Sequence, residues 1–257
     1  MSAGECGPDG AALFHVLTRC RHGGAMTDQS YGQQALAFLR LQSWLSPSFP
    51  NGAYSYSHGL EWAVEAGYVS DRRSLIDWLE ADLCYGSGRN EAIFFSEAYR
   101  CVAEGAEDQL PELAELAAAS RGTSEFVLES AQQSSACLST LRSVWPDRIL
   151  DMFSDPKCPP VLAVLLGARA ARERIAVEIA LPAFLHSYVA NLVSAGVRLV
   201  PLGQTDGQLA IAALELPILS RSEIASRETV DDLGSAGLMV ELASIAHELQ
   251  YTRLFRS

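Results

Sequence analysis

Apolar residues recur along most of this chain at the three- and four-residue spacing of amphipathic helices. One such helix begins after Ser70 or Asp71, both of which are good helix caps. Its apolar face consists of Leu75, Ile76, Leu79 and Leu83. The same spacing predicts the other helices at residues 33–44, 53–66, 90–103, 112–119, 125–141, 161–178, 183–199, 208–216, 217–230 and 238–250. Because no alternating apolar and polar stretch of strand length occurs, the sequence predicts an all-α fold, a single compact bundle of about ten helices.

Glycine and proline separate these predicted helices. Gly67 is placed to end the helix at 53–66, and the break at residues 86–88 ends the next one. Pro182 either kinks one long helix or opens a new one at its first turn. Residues 144–160 are rich in proline and form the longest ordered loop that we expect. The chain is therefore expected to comprise a disordered segment at 1–30, a helical domain at 31–250 and a C-terminal tail at 251–257.

The composition argues against several classes of function. A net charge of −12 argues against a nucleic-acid-binding protein, which would carry a basic patch. No apolar run reaches the roughly 18 residues of a membrane span, and residues 1–28 lack the apolar core of a secretory signal. The six cysteines are scattered without a CxxC pair and are expected to be reduced thiols. These features favour a cytoplasmic protein that binds neither nucleic acid nor membranes.

One stretch, residues 41–71, differs from an ordinary core helix. Pro47, Pro50 and Gly52 form a rigid turn, and four hydroxyl side chains follow at residues 54–57. His58 and Glu61 then lie three residues apart on the predicted helix and share one face. They could form the acid–base pair of an all-α enzyme. They could equally be structural, with His58 bonded to Glu61 or to a backbone group of the turn.

No motif for a common cofactor accompanies this stretch. The sequence contains no Walker A, GxGxxG or GxSxG pattern, and the residues from His247 read HELQY rather than HExxH. Ser57 cannot pair with His58 as a nucleophile, because neighbouring residues on a helix point in different directions. We therefore expect no cofactor, no catalytic residue and no metal ligand. A nickel carrier that uses scattered cysteines and histidines stays open as an alternative.

Two further segments could be presented to a partner. The tail at 251–257 carries tyrosine, leucine and phenylalanine interleaved with two arginines, although chain ends are normally polar. Such residues are enriched at interfaces, so the tail either becomes ordered on a partner or docks on its own domain. The segment VPLGQTDGQ at 200–208 is either a tight interhelical turn, which its turn residues favour, or a presented loop.

Three stretches together resemble a known family. They read WLSPSFPNGAYSYSHGLEWAVEAGYVSD at 44–71, ANLVSAGVRLVPLGQTDGQ at 190–208 and HELQYTRLFRS at 247–257. In order and spacing they resemble the UreF-type urease accessory proteins, and the resemblance covers residues 36–257. It leaves out the N-terminal segment.

The resemblance implies an all-helical homodimer without catalysis of its own. Proteins of this family bind a second accessory protein, UreD or UreH, and recruit the GTPase UreG. The assembly delivers nickel to apo-urease as GTP is hydrolysed. By analogy, the tail would dock on UreD/UreH, and the turn and helix at 50–61 would shape the dimer and the GTPase-recruiting surface. The partner-binding residues implied in this way are Pro50, Gly52, Tyr54, Ser57, His58, Glu61, Gly203, Gln204, Gln208, Arg253, Leu254, Phe255 and Arg256.

Overall fold

The computed structural model describes residues 29–154 and 159–257, which contain eleven α-helices and no β-strand. The helices are α1 (Gln29–Trp44), α2 (Leu60–Glu65), α3 (Arg72–Tyr85), α4 (Ser87–Ala103), α5 (Leu110–Ala119), α6 (Ser124–Val144), α7 (Arg148–Asp151), α8 (Leu162–Arg172), α9 (Val177–Leu199), α10 (Gln204–Ala225) and α11 (Leu238–His247). The predicted all-α fold is confirmed. The predicted disorder at 1–30 lies outside the described residues, except for residues 29 and 30, which begin α1.

The long helix α9 lies at the centre of the bundle. It packs on α10, α4, α2 and α8, and the ring of Phe184 stacks on Phe95 of α4 with the ring centres 5.0 Å apart. By length and composition alone α9 could cross a membrane, but half of its apolar window is buried in the bundle. Its apolar sequence is thus what a helix needs when it contacts neighbours on several sides.

Local sequence explains where several helices begin and end. Asp71 caps α3 as predicted: its Oδ1 accepts a hydrogen bond from the Ser74 amide at 2.8 Å, and the Ser74 hydroxyl accepts one from the Asp71 amide. This capping box lowers the pKa of Asp71. Gly67 has a φ of 80° and ends α2, which also confirms the prediction.

The predicted break at residues 86–88 is shorter than expected. Only Gly86 separates α3 from α4, which begins at Ser87 rather than at residue 90. The buried carboxylate of Asp82 makes this possible, because it accepts hydrogen bonds from the amides of Ser87 and Gly88 at 2.9 and 3.3 Å. A side chain from the preceding helix thus satisfies two free amides at the start of α4.

The boundary predicted at Pro217 is wrong. The helices predicted at 208–216 and 217–230 are one helix, α10, with Pro217 inside it. Burial of Leu214 and Ile218 on either side contributes roughly 1.5 to 3 kcal/mol each, enough to offset the roughly 3 kcal/mol that an interior proline costs. Pro182 lies in the second turn of α9 and does not open a new helix. The helix predicted at 161–178 ends at Arg172, and the loop predicted at 144–160 contains α7.

The helix predicted at 53–66 is also wrong in its first half. Residues Ala53–Ser55 form a single 3-10 turn, and α2 begins only at Leu60. Between them, His58 and Gly59 have φ values of 56° and 77°, in the left-handed region that no α-helix can contain. The chain therefore turns sharply before α2, and this turn forms part of the site described next.

Candidate partner-binding site at the C-terminus

The three stretches that carry the family resemblance meet at one place in the structure. The turn at 53–61, the second half of α9 and the end of the chain at 254–257 contact one another, and we call this region the tail junction. Asn191 Nδ2 donates a hydrogen bond to the Ala53 carbonyl at 3.1 Å, which joins α9 to the turn. The Arg256 amide donates to the Ser55 carbonyl at 2.9 Å, which joins the tail to the turn.

The last residue of the chain is bound by a serine of the turn. The Ser57 amide donates a hydrogen bond to the Ser257 carbonyl at 2.8 Å, and the Ser57 hydroxyl donates to the same oxygen. Ser57 also accepts a hydrogen bond from the Glu61 amide at 3.3 Å, so its hydroxyl joins the tail to the start of α2. Both serines are fully buried. The role of Ser57 in this fold is to hold the chain terminus.

Glu61 accepts hydrogen bonds from two other backbone amides of the tail. Its Oε1 accepts a hydrogen bond from the Leu254 amide at 2.6 Å, and its Oε2 accepts one from the Phe255 amide at 2.9 Å. The same Oε2 lies 3.1 Å from Nε2 of His247 at the end of α11. A buried carboxylate needs such donors, because burial without them would cost several kcal/mol. Glu61 is therefore an anchor for the tail.

His58 contacts helix α6. Its ring stacks on Phe126 of α6, with the ring centres 3.9 Å apart, and its Nδ1 lies 3.3 Å from Oε2 of Glu129. Burial lowers the pKa of His58, but the charge and hydrogen bond of Glu129 and the charge of Asp82 raise it, and the net pKa is above its ordinary value. Glu129 also accepts a hydrogen bond from the Ser257 hydroxyl at 2.8 Å.

These contacts correct the predicted relationship between His58 and Glu61. The two residues do not share a helix, because α2 begins at Leu60, and the two side chains bond to different partners. His58 lines a cavity of about 100 Å³ together with Glu129 and Tyr188, whereas Glu61 does not line it. The geometry favours the structural interpretation of both residues. His58 bonds to Glu129 and Glu61 bonds to His247. The expected bond of His58 to Glu61 or to the backbone of the turn is not the one found.

Arg198 contacts both the turn and the tail at the exposed side of the junction. Its guanidinium lies 3.7 Å from the centre of the Tyr54 ring and 4.3 Å from the centre of the Phe255 ring. It also donates hydrogen bonds to the carbonyls of Tyr54 and Ser194, at 3.0 and 3.1 Å. A cation between two aromatic faces is attracted by both rings. One arginine of α9 therefore links the turn and the tail.

The tail is seated on its own domain, which is one of the two arrangements open from the sequence. Phe255 is only 4% exposed, and Arg253 pairs with Glu125 of α6 at 3.2 Å. Leu254, between them, is 67% exposed, and the side chain of Arg256 is exposed although it reaches Gln132 at 3.2 Å. Alternate residues of the tail thus anchor it and face solvent.

The exposed side chains near the tail include large apolar ones. Leu254 is accompanied by Tyr251 and Leu249, which follow α11 and are exposed as well. Leu242 and Ile245 on α11 add two more partly exposed apolar side chains. Exposed apolar side chains beside a backbone that is held by buried polar anchors are typical of a protein-binding site.

The other predicted partner-binding residues have different positions. Pro50 and Gly52 are exposed in the turn, and Gly52 has a φ of 77° with open space around its α-carbon. Gly203, Gln204 and Gln208 are exposed at the start of α10. Within residues 29–154 and 159–257, none of these three forms a hydrogen bond or an ion pair with the tail. The predicted 200–208 turn is thus tight, since α10 already begins at Gln204, and its link to a partner stays a prediction.

Three residues that contact the tail were not identified from the sequence. Glu125 and Glu129 bind the tail from α6, and Arg198 binds it from α9. The spacing of the two glutamates, one helical turn apart and on the same face as Gln132 and Gln133, is the signal that could have identified a polar face on α6. Nothing in the local sequence separates Arg198 from any other arginine at the end of a helix.

Metal binding finds no support in the arrangement of the described side chains. Among those residues, no group of three or more histidine, cysteine, aspartate or glutamate side chains is placed to hold a metal ion. His58 and His247 instead contact carboxylates, at 2.9 to 3.3 Å.

Comparison with known proteins identifies a family. A family model described as UreF matches residues 69–215. The chain is 47% identical over 227 residues to the urease accessory protein UreF of Rhodopseudomonas palustris strain BisB5, covering 88% of this chain and 93% of that protein. It is 47% identical to the same protein of strain HaA2, covering 88% and 95%, and 45% identical to that of Bradyrhizobium diazoefficiens, covering 88% and 93%.

Proposed function

Because this chain belongs to the UreF family of urease accessory proteins, we propose that it is a non-catalytic scaffold in the maturation of the urease nickel centre. In this role it binds the accessory protein UreD/UreH and recruits and regulates the GTPase UreG. The resulting assembly delivers nickel, as cargo, to apo-urease. The chain acts in the cytoplasm as a homodimer.

The observation that carries this proposal is the construction of the tail junction. Phe255 and Ser257 are buried, and their neighbours Leu254 and Arg256 point outward, so the tail presents side chains from a fixed backbone. Because the backbone is already ordered, a partner that binds it loses little conformational entropy on docking. This fits a docking site for UreD/UreH better than it fits a frayed chain end.

The turn before α2 supports a second contact surface. Pro50, Gly52 and Tyr54 are exposed and available to UreG or to the second copy of the chain. Ser57, His58 and Glu61 are buried beneath them, so their part in partner binding is indirect. They hold the turn and the tail in the shape that a partner would meet. The affinity of a partner for the tail would therefore change when the turn is altered, and the affinity of a partner for the turn would change when the tail is altered.

The tail assignment can be tested with a variant that changes only outward-facing side chains. Tyr251→Ser combined with Leu254→Ser should reduce the affinity for purified UreD/UreH at least tenfold, because two exposed apolar contacts are lost, each of the size of an interface hot spot. Deletion of residues 251–257 should abolish binding. Isothermal calorimetry or biolayer interferometry measures both.

The matched control is Leu116→Ser on α5, which removes a partly exposed leucine away from the tail and should leave the affinity unchanged. Full affinity in the deletion variant would refute the tail assignment. Recruitment of UreG is tested separately by co-elution of the three proteins in size-exclusion chromatography with GTP and magnesium. Sedimentation equilibrium of the isolated chain tests the homodimer.

A further inference from the structure

A polar cavity lies next to the turn that precedes α2. It is the cavity of about 100 Å³ that His58 and Glu129 line, and we call it the inner chamber. Its wall also includes Glu91 of α4, Arg121 from the loop before α6, and Trp44 at the end of α1. A polar space of this volume can hold several water molecules or one small organic molecule.

A groove at the surface leads to the inner chamber. The groove has a volume of about 630 Å³, lies between α1 and α9, and is bordered by the exposed side chains of Phe38 and Tyr54. Six residues line both the groove and the chamber: Trp44, Leu45, Asn51, Ala53, Ser187 and Asn191. The two spaces are therefore adjacent, and a small molecule in the groove has to pass only this shared wall to enter the chamber.

Two residues of the chamber wall carry hydrogen-bond donors that have no acceptor. Nε1 of Trp44 and Nε of Arg121 are buried, and neither has a hydrogen-bond partner within residues 29–154 and 159–257. An indole N–H and a guanidinium N–H can only donate. Because a buried donor without an acceptor is costly, each of these groups favours an acceptor oxygen that enters the chamber.

The same wall carries groups that can accept a hydrogen bond. Glu91 pairs with Arg121 through its Oε1, whereas its Oε2 accepts no hydrogen bond from the part of the chain that the structure describes. Nδ1 of His58 carries a proton, because it lies 3.3 Å from a carboxylate oxygen of Glu129, which only accepts. Nε2 of His58 has no partner among the described residues. It accepts a hydrogen bond when the ring is neutral and donates one when the ring is charged.

The charges of the wall favour a neutral ligand. Arg121 is paired with Glu91, and His58 faces Glu129. A third carboxylate, that of Asp82 on α3, also acts on His58. An anion in the chamber would meet three carboxylates, and a cation would meet the unpartnered N–H groups of the wall. A neutral molecule that both accepts and donates hydrogen bonds avoids both penalties.

We propose that the inner chamber binds a small neutral primary amide, whose carbonyl oxygen accepts from the donors of Trp44 and Arg121 and whose –NH2 group donates to Glu91 or His58. A primary amide has two N–H donors and an oxygen with two lone pairs, whereas an alcohol has one donor and a carboxylate has none. The site lies inside this chain and does not depend on the proposed function.

The indole N–H of Trp44 reports directly on the chamber. Protein labelled with 15N-tryptophan should give four indole signals, one for each tryptophan, and the Trp44 signal is the one that Trp44→Phe removes. Acetamide should shift this signal along a saturating curve with a Kd of about 1 mM, the order that a ligand of its size can reach. Trp62 and Trp78 do not line the chamber, so their signals should not change.

Two outcomes of this titration would overturn the proposal. The first is a Trp44 signal that does not shift up to about 100 mM acetamide, a concentration far above the expected Kd. That result would mean that the chamber takes water only. The second is a shift of the Trp62 and Trp78 signals in proportion to that of Trp44, because it would be an effect of the solvent.

Acetate tests the chemical class of the ligand, because it has the shape of acetamide but carries a negative charge and no N–H donor. It should bind at least tenfold more weakly than acetamide, since Glu91 and Glu129 repel it and Glu91 receives no hydrogen bond from it. Acetate that binds as tightly as acetamide would overturn the assignment of an amide.

A substitution in the wall should reverse this preference. Glu91→Gln removes a carboxylate and leaves the charge of Arg121 unpaired, so acetamide should bind more weakly and acetate more tightly than in the parent. General damage to the fold would weaken both. The matched control is Glu97→Gln on the same helix, because Glu97 pairs with Arg100 and does not line the chamber. It should leave both affinities unchanged.

An unchanged preference for acetamide in Glu91→Gln would contradict the proposal, as would an equal change in Glu97→Gln. Circular dichroism checks that each variant is folded. If Glu91→Gln does not fold, the comparison of acetamide with acetate in the parent protein decides the question.

Discussion

The guanidinium of Arg198 lies 3.7 Å from the centre of the Tyr54 ring, so the last turn of α9 is held against the turn that precedes α2. The same guanidinium also lies 4.3 Å from the centre of the Phe255 ring. Two stretches more than 50 residues from Arg198 along the chain thus meet on one side chain. The consequence is that the tail, the turn and α9 should respond together to a change in any one of them.

Removal of Arg198 should weaken all of these contacts at once. Arg198→Ala should lower the free energy of unfolding by about 1 to 2 kcal/mol, because two cation–π contacts and two backbone hydrogen bonds are lost. Urea denaturation followed by circular dichroism measures the change. Arg227→Ala is the control, since that arginine pairs with Glu223 on the surface of α10. Equal effects of the two variants would show that the junction contacts contribute nothing.

Gly59 should be far less tolerant of a side chain than Gly67, although both have a positive φ near 80°. A Cβ atom on Gly59 would lie 2.9 Å from the Ser244 amide nitrogen of α11, whereas Gly67 has open space. Gly67→Ala should therefore lower the free energy of unfolding by about 1 to 2 kcal/mol, which is the cost of holding an alanine in the left-handed conformation. Gly59→Ala should lower the free energy of unfolding by more than this and should displace α11.

Thermal denaturation of the two glycine variants measures this difference. Because α11 carries His247, Gly59→Ala should also increase exchange at the Leu254 and Phe255 amides, and Gly67→Ala should not. Identical melting temperatures would mean that α11 moves away without cost.

Of two neighbouring tail residues, Phe255 should contribute mainly to stability and Leu254 mainly to partner binding. Phe255→Ala removes a buried ring and should lower the free energy of unfolding by about 3 kcal/mol. Leu254→Ala changes an exposed side chain and should alter it by less than about 0.5 kcal/mol. Denaturant unfolding distinguishes the two. A stable Phe255→Ala variant would indicate that the tail is not seated as described.

The thiol of Cys137 should be chemically inert in the folded protein. Burial raises its pKa to about 12, so almost no reactive thiolate is present at neutral pH. Iodoacetamide at pH 8 should therefore modify Cys137 only after denaturation, as measured by peptide mass spectrometry, while the partly exposed Cys84 reacts in the native state, slowly because its pKa is also raised. Rapid native modification of Cys137 would show that α6 opens.

Much of the helical architecture follows from local sequence. Apolar spacing and the signals at Asp71 and Gly67 are read correctly because caps and amphipathic faces involve residues within one or two turns of each other. The turn at 53–59 is misread for the opposite reason. His58 takes up its left-handed conformation where Glu129 and Phe126, about 70 positions away, hold its ring. A local pattern cannot report such a partner.

The sequence by itself determined the all-α class, the lack of a common cofactor motif and the family to which the chain belongs. Tertiary structure alone decided what the conspicuous polar residues do. Glu61 looked like half of an acid–base pair, and it accepts the amides of Leu254 and Phe255 from almost 200 positions along the chain. His247 carried no motif, and it lies between Glu61 and Glu125. The physical reason is that helix formation depends on near neighbours, whereas the partner of a buried charge depends on which helices cross it.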